Sequence, residues 1–429
     1  MMRTKNQRVL VVLLVIITLF AATCSAVFGN DQLDWGVERI RSYCVWDNDN
    51  WNMTNWNTTT WDIDVGANAG QNATVAIIDT GIYYTTNISG TFIHPELAAN
   101  VKGMAGFFYN ISTHVVDRHT DTVNDAYYIN DSLWGHGTGI AGVIASAING
   151  IGLIGTAPNV SIYSLKVNSL GWDHDLAEEI ATAINYSIDT LHVNVISISI
   201  GVSGNWQDLN NSCIYAFNND ALLIAAAGDL NTTDLGYPAS YFPYVVPVGS
   251  TDQNDTRAVF GWPLIASNYG PLLQFMAPGV DINTTTIGGY SRANGTSYSA
   301  PFVSATAALI FASKMDLNFD SPPYNHQWDN TEVWTKMVLN GTLRLGGTRF
   351  KDNYTGWGLV NAWLANQRPL GDINCDNKTD GKDVAWASLA YGTVPRDPRW
   401  DPRADVDINK KVDGKDIAII AGNFGAGDP

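Results

Sequence analysis

Three short segments, each with at least one glycine, contain a side chain that can take part in acyl transfer. They are Ile-Ile-Asp-Thr-Gly at 77–81, Gly-His-Gly-Thr at 135–138 and Gly-Thr-Ser-Tyr-Ser-Ala-Pro at 295–301. A serine hydroxyl attacks a carbonyl carbon readily only when a base removes its proton, and an imidazole oriented by a carboxylate is such a base. Residue type therefore predicts Ser297 as the nucleophile, His136 as the general base and acid, and Asp79 as the group that orients the imidazole.

These segments resemble the active-site signatures of the subtilase family, and they occur in that family's order of Asp, His and Ser. The resemblance covers about residues 35–365, because Trp-Gly-Val-Glu-Arg-Ile at 35–40 is similar to the family's mature start and His-Pro-Glu-Leu at 94–97 to the turn after its aspartate. It implies a secreted serine endopeptidase with Asp79, His136 and Ser297 as its catalytic triad.

The same resemblance implies where a substrate binds. Ser-Ile-Gly at 199–201 is similar to the edge strand that pairs with substrate backbone, and Ala-Ala-Gly at 226–228 to the wall of the pocket for the residue before the cut. Strand addition of this kind suits unfolded peptides and loops, so the expected substrates are proteins or peptides. The implied substrate-binding residues are Ser199, Ile200, Gly201, Ala226, Ala227 and Gly228.

One position departs from the family. Asp229 stands where subtilases usually place an Asn whose amide donates to the oxyanion, although a branch of the proprotein convertases also carries Asp there. Loss of such a donor costs about 10²–10³ in turnover. A carboxyl in a dry cleft has a raised pKa and can donate when protonated, which predicts a mildly acidic optimum bounded by His136 charging below and Asp229 ionising above. The alternative is a catalytically silent subtilase-fold binding module.

Alternating strand and helix patterns must position these residues. Apolar runs predict strands at 74–80, 162–167, 193–200, 221–227 and 245–249, and an amphipathic pattern predicts a helix at 175–188. This alternation predicts an α/β fold with a mostly parallel sheet and helices on both faces, as in subtilases. Sites in such sheets form at the carboxyl ends of the strands. The four tryptophans of the 44–61 segment are expected to lie in a surface insertion.

The N-terminus has the layout of a secretory signal. Basic residues precede an apolar run at 9–22 and then small residues, so residues 1–29 are expected to form a signal peptide. An uncleaved anchor is the alternative, and no other membrane span is expected. About sixteen Asn-x-Ser/Thr triplets indicate glycosylation of an exported surface, unless they reflect Asn-rich and Thr-rich composition. The stretch before Trp35 leaves no room for a chaperone pro-domain, so folding without one is expected.

Composition narrows the class of partner. The formal charge of −17 without basic clusters argues against nucleic acid and against anionic membranes. Beyond the signal segment the cysteines are Cys44, Cys213 and Cys375, so at most one intramolecular disulfide is expected and one thiol is left over.

Two similar segments 33 residues apart follow the enzyme-like region. Each places oxygen ligands at positions one, three, five, nine and twelve of a loop, with a Lys carbonyl at seven, which is the spacing of a calcium loop. The predicted ligands are Asp372, Asn374, Asp376, Lys378, Asp380 and Asp383 in the first loop and Asp405, Asp407, Asn409, Lys411, Asp413 and Asp416 in the second.

The paired loops resemble dockerin, a small α-helical module whose calcium loops end in Asp. This resemblance implies calcium as a cofactor and a cohesin-like protein as a partner, so that the module tethers the enzyme to a scaffold or a cell surface. A self-contained stabilising tail is the alternative. The expected domains are 1–29 for the signal peptide, 30–367 for the peptidase domain and 371–429 for the dockerin-like domain.

Overall fold

A computed structural model describes the following residues: 32–40, 42, 45, 69–87, 90–132, 135–167, 172–261, 265–313, 329–339, 341–343, 345, 351–367, 371, 379–394, 399, 404, 406 and 411–425. Several sequence predictions lie outside these residues. They are the signal peptide, the 44–61 insertion apart from residue 45, Cys44, Cys375 and the calcium ligands Asp372, Asn374, Asp376, Lys378, Asp405, Asp407 and Asn409.

The described strands are β1 (Gln32–Leu33), β2 (Thr74–Asp79), β3 (Tyr84–Asn87), β4 (Gly90–Ile93), β5 (Val101–Asn110), β6 (Val115–His119), β7 (Leu153–Ile154), β8 (Ser161–Val167), β9 (Val195–Ile198), β10 (Leu222–Ala226), β11 (Val245–Thr251), β12 (Val259–Gly261), β13 (Ile265–Ala266), β14 (Phe275–Pro278), β15 (Ile282–Thr286), β16 (Gly289–Ala293), β17 (Thr342–Leu343) and β18 (Leu359–Val360). The described helices are α1 (Trp35–Arg39), α2 (Ala126–Ile129), α3 (His136–Ala145), α4 (Asp173–Asp189), α5 (Gln207–Asn218), α6 (Thr296–Ala312), α7 (Asn330–Leu339), α8 (Ala362–Gln367), α9 (Gly381–Ala390) and α10 (Gly414–Gly422).

Ten strands form the central sheet in the order β17-β18-β14-β11-β10-β9-β2-β8-β5-β6. Pairing is parallel from β18 through to β5, and only the outermost pairs, β17 with β18 and β5 with β6, are antiparallel. The predicted mostly parallel sheet is confirmed. Strand β2 lies inside the sheet, between β9 and β8. Sites in such folds usually form at the carboxyl ends of the strands.

Two apolar cores cover the two faces of this sheet. Successive residues of a strand point to opposite faces, and in β2 Val75 and Ile77 pack into one cluster while Ala76 and Ile78 pack into the other. Helices α3 and α6 contribute to the first cluster, and helices α4 and α5 contribute to the second. The prediction of helices on both faces is therefore confirmed.

The N-terminal segment is attached to parts of the chain far away in sequence. Strand β1 pairs with β7, and Trp35 Nε1 donates to the carbonyl of Val280 at 3.1 Å. The Asp34 carboxylate caps α1 by accepting from Gly36 N and also accepts from Asn283 N at 2.9 Å. The carbonyl of Ile40 accepts from Ala362 N at 2.8 Å. The start of the enzyme-like region thus packs beside its end.

Helices α9 and α10 have a small core of their own, built from six buried residues between Ala387 and Ile420. Each helix begins with the same capping box: Asp380 and Asp383 form it in α9, and Asp413 and Asp416 form it in α10. The 33-residue repeat of the sequence is therefore a repeat of local structure as well. Among the described helices of the whole chain, none combines the length and apolar character needed to cross a membrane.

Candidate active site

The three predicted triad residues lie on three elements that meet at the carboxyl end of the sheet. Asp79 is the last residue of β2, His136 is the first residue of α3, and Ser297 is the second residue of α6. Asp79 is fully buried, while His136 keeps 28% of its side chain exposed. A carboxylate is thus held inside the protein, and an imidazole is held at the surface of the cleft.

Asp79 and His136 form a direct pair. Nδ1 of His136 lies 2.7 Å from Oδ1 of Asp79, and the same carboxylate oxygen accepts from the amide of Thr80 at 2.7 Å. Because a carboxylate accepts, Nδ1 carries the proton and Nε2 is left to accept one. This is the tautomer that a general base needs when it removes a proton from a serine hydroxyl.

Gly137 allows α3 to approach the Asp79 strand this closely. A Cβ at this position would lie 2.2 Å from the carbonyl oxygen of Gly81 and 3.1 Å from Oδ1 of Asp79. Any side chain there would push the helix away from the loop that follows β2, and the hydrogen bond between His136 and Asp79 would lengthen. The second Gly of the Gly-His-Gly-Thr segment therefore serves the geometry of the pair.

The pKa of His136 is raised above its usual value. Burial lowers it, but the negative charge and hydrogen bond of Asp79 outweigh burial, and Asp131 and Asp229 add to the rise. The imidazolium that forms when His136 takes a proton is stabilised by the same charges. The raised pKa also means that the basic form is lost at a higher pH than in an isolated histidine.

Ser297 is held against the segment that follows β9. Its Oγ donates to the carbonyl oxygen of Ser199 at 3.2 Å, and Ser199 Oγ donates to the carbonyl oxygen of Ser297 at 2.8 Å. Between the described side chains of Ser297 and His136 no hydrogen bond is present. Catalytic hydrogen bonds are often long before substrate binds, and the Ser297 hydroxyl can still rotate to form one with His136.

The residues implied in substrate binding lie next to the nucleophile. Ser199, Ile200 and Gly201 follow β9 directly, and Ser199 makes the contacts just described. Ala226 is the last residue of β10, and Gly228, with φ of +92°, donates its amide to Thr296 Oγ1 at 3.0 Å. The structure therefore places both predicted segments at the start of α6.

Asp229 also lies at the start of α6. Its Oδ1 accepts from the amide of Thr296 at 2.9 Å, and a Cβ added to Gly295 would lie 2.9 Å from Oδ2. Burial raises the pKa of Asp229, although the hydrogen bonds from Thr296 and the charge of His136 act in the opposite direction. A carboxyl group that resists ionisation thus stands beside the residue that precedes the nucleophile.

A further carboxyl of this region was missed by sequence reasoning. Asp131 is 1% exposed and accepts three hydrogen bonds from Gly135 and Thr138, at the start of α3. It lies five residues before His136 in an irregular loop, where an aspartate is ordinarily a solvated turn residue. Only the folded chain shows that this carboxyl is buried.

The described residues of the predicted calcium loops are 379–383 in the first loop and 406 and 411–416 in the second. Asp383 and Asp416 are fully buried, and each accepts from the amide of the residue three positions earlier. Asp416 also accepts from Val406 N at 2.7 Å, which closes its loop. Lys411 contacts Asp413 at 3.6 Å through its ammonium group. Buried carboxylates at the last position of both loops fit the donor set that calcium prefers.

Comparison with known proteins agrees with the site geometry. Residues 70–358 match the model of the Subtilase family. Subtilisin BL of Lederbergia lenta is 32% identical over 300 residues, which cover 70% of this chain and 92% of that protein. Subtilisin NAT of Bacillus subtilis subsp. natto is 33% identical over 304 residues, which cover 70% of this chain and 66% of that protein. An alkaline protease of Alkalihalobacillus alcalophilus is 32% identical over 302 residues, which cover 70% of this chain and 65% of that protein.

The family match includes every strand of the central sheet except β18, together with the helices that carry His136 and Ser297. It ends before the capping boxes of α9 and α10. On the family match, on the similarity to subtilisins and on the geometry of Asp79, His136 and Ser297, the chain belongs to the subtilase family.

Proposed function

We propose that this chain is a serine endopeptidase that hydrolyses peptide bonds through Asp79, His136 and Ser297. The observation that carries the proposal is the 2.7 Å contact between Nδ1 of His136 and Oδ1 of Asp79. It fixes the imidazole tautomer whose Nε2 can take a proton, at the end of the sheet where Ser297 lies in the first turn of α6.

The reaction follows from these groups. Ser297 Oγ bonds to the carbonyl carbon of the substrate while its proton passes to Nε2 of His136, and the carbonyl oxygen becomes an oxyanion. Collapse of this intermediate breaks the C–N bond, and the proton moves from Nε2 to the departing amine. Water then attacks the acyl-enzyme by the same route, which releases the acid and restores Ser297. Asp79 stabilises the imidazolium in both steps.

Asp229 would act as an acid donor to the oxyanion. Oδ1 already accepts from Thr296 N, so a proton on the carboxyl belongs on Oδ2, which is then the donor atom. The raised pKa of Asp229 supports this protonated form. One of the similar proteins is named an alkaline protease. A peptidase that relies on protonated Asp229 would instead be most active below the pH at which this residue ionises.

Labelling with a fluorophosphonate probe tests the proposal, with Ser297→Ala as the control. Between about pH 5 and pH 8, labelling of the wild-type protein that is absent from the variant is the expected result. Folded, calcium-loaded protein that is unlabelled throughout this range would instead favour a catalytically silent binding module. The hydrogen bond of Ser297 Oγ to Ser199, in place of His136, is the observation that favours this second candidate.

The C-terminal residues are proposed to form a dockerin-like module that holds calcium and tethers the enzyme to a cohesin-like partner. The repeated capping boxes and the buried Asp383 and Asp416 support calcium loops at this place. Calcium would place a positive charge opposite these buried carboxylates. Calorimetry with a purified cohesin domain, with calcium and with chelator, separates a tether from a tail that only stabilises the chain.

The enzyme is proposed to act outside the cell, after removal of its signal peptide. N-terminal sequencing of protein recovered from the medium would give the cleavage point. Modification of the Asn-x-Ser/Thr triplets would differ between sites. Asn254 is exposed, whereas Asn130 binds the backbone of Tyr84 through both side-chain atoms. Glycopeptide mass spectrometry is expected to find sugar at Asn254 and none at Asn130.

A further inference from the structure

Helix α3 begins in a way that leaves its first amide groups without an internal partner. Its N-cap residue, Gly135, has φ of +68° and no side chain with which to cap the helix. The first amides of a helix need acceptors from elsewhere, because no earlier turn supplies a carbonyl. His136 is the first residue of this helix, so any looseness at the start of α3 moves the imidazole directly.

Asp131 supplies acceptors for two of these backbone amides. Its Oδ1 accepts from Gly135 N at 3.1 Å, and its Oδ2 accepts from Thr138 N at 3.0 Å and from Thr138 Oγ1 at 2.7 Å. The Thr138 hydroxyl in turn accepts from Tyr83 N at 2.8 Å. A single buried carboxylate therefore joins the start of α3 to the loop that follows β2.

The same loop begins directly after Asp79. The amide of Thr80 donates to Asp79 Oδ1, and the Thr80 hydroxyl accepts from Gly137 N at 2.9 Å. The hydroxyl of Thr80 also lies against the Asp131 carboxylate. The two halves of the pair between His136 and Asp79 are thus fixed to each other by Thr80 and Asp131, in addition to their own hydrogen bond.

We propose that Asp131 is a positioning residue for the peptidase reaction, and that its carboxylate caps the helix of His136 and holds the imidazole against Asp79. The inference rests on the proposed function of the triad. Asp131 does not touch the reacting atoms, so it acts through the place and the charge of His136. The positive end of the α3 dipole favours a negative group at this position.

The charge state of Asp131 links this role to pH. Burial raises its pKa to about 6, and the hydrogen bonds from Thr138 and Thr80 limit the rise. The carboxylate is therefore charged above about pH 6 and loses acceptor capacity below it. The charged or titratable groups that face Asp131 are Asp79, His136, Lys166 and Tyr298.

Asp131→Asn tests the proposal, because the amide keeps the size of the side chain but loses the charge and one acceptor oxygen. We expect kcat on a peptide substrate to fall about tenfold or more, with KM changed less than about twofold. The pKa of His136 should also fall, since a nearby negative charge is removed, and the acid limb of the rate profile should move to lower pH. NMR of the Nδ1 proton of His136 measures that pKa without any turnover.

Asp125→Asn is the matched control, because Asp125 lies in the same segment and pairs with His119 at 3.5 Å. It should leave kcat and the pKa of His136 unchanged. If Asp131→Asn fails to fold, Thr138→Val removes one of the three hydrogen bonds to Asp131 and the one that Thr138 accepts from Tyr83 N. It should lower kcat about threefold or more, with rescue by Thr138→Ser. Unchanged kcat and unchanged His136 pKa in a folded Asp131→Asn protein would overturn the proposal. Inactive wild-type protein would refute the proposed function instead, and the NMR titration would still decide the role of Asp131.

Discussion

Ser199 supplies a hydrogen bond that Pro301 cannot. In a regular helix the amide four residues later donates to each carbonyl, but Pro301 lies inside α6 and has no amide hydrogen, so the carbonyl of Ser297 loses this partner. Ser199 Oγ donates to that carbonyl at 2.8 Å instead. The helix begins five residues before Pro301, at Thr296. The backbone of the nucleophile is therefore held from outside its own helix.

Ser199→Ala is expected to lower both stability and turnover. The part-buried carbonyl of Ser297 would lose this hydrogen bond, which costs about 1 kcal/mol of unfolding free energy. Turnover should fall several-fold because Ser297 is less well fixed. Urea denaturation and peptide hydrolysis measure the two effects. Ser304→Ala is the control, since Ser304 lies buried deeper in α6 and bonds to Ser197, so it should lose stability with kcat unchanged. Equal kcat losses in the two variants would contradict the prediction.

Asp229→Asn is expected to change the pH profile more than the maximum rate. Asp229 donates only when protonated, and its pKa is raised by burial, so wild-type activity should fall as pH rises through that pKa. An amide donates at every pH, so the variant should keep its activity on the alkaline side. Asp229→Ala removes the donor altogether and should lose about 10²–10³ in kcat at all pH values. A wild-type rate that stays flat from neutral to alkaline pH would contradict the role of protonated Asp229 as a hydrogen-bond donor.

Gly137→Ala is expected to impair the pair of Asp79 and His136 directly. The added methyl group would overlap the carbonyl of Gly81 at 2.2 Å, so α3 must move, and overpacking of this kind costs about 1–3 kcal/mol. The low-field NMR signal of the Nδ1 proton of His136 should weaken or shift, and kcat should fall about tenfold or more. Gly289→Ala serves as the control because a Cβ there meets nothing within 4 Å. Wild-type kcat in Gly137→Ala would show that the close approach is dispensable.

Removal of calcium is expected to unfold the C-terminal module and leave the peptidase core folded. Asp383 and Asp416 are buried carboxylates, and without a cation the cost of removing them from water opposes folding. Chelator should therefore open a separate, low-temperature unfolding transition in calorimetry, reversed by calcium and abolished by truncation after residue 367. The double variant Asp383→Ala, Asp416→Ala should behave as the chelated protein does. A transition that is indifferent to both chelator and calcium would show that the loops do not bind the ion.

The sequence predicted the sheet well where the strands are buried on both faces. The runs before Asp79 and around Ile224 are continuous and apolar, and the structure has strands there within two residues of the predicted bounds. The antiparallel β5 and β6 were missed, because their exposed residues interrupt the apolar pattern. The triad was visible because each member lies in a short segment that resembles a family signature. Asp131 was not, since burial of a loop carboxyl depends on elements that arrive from elsewhere in the chain.

The attachment of the N-terminal segment also bears on how the enzyme folds. Trp35 binds the carbonyl of Val280, 245 residues later, and Ile40 accepts from the amide of Ala362. Contacts between such distant parts of a chain are slow to form, because a long loop must close before any of them contributes. The peptidase core is therefore incomplete until nearly the whole domain has been synthesised. Proteolytic activity should accordingly arise only after synthesis of the domain is complete. This order delays self-digestion and damage to the producing cell.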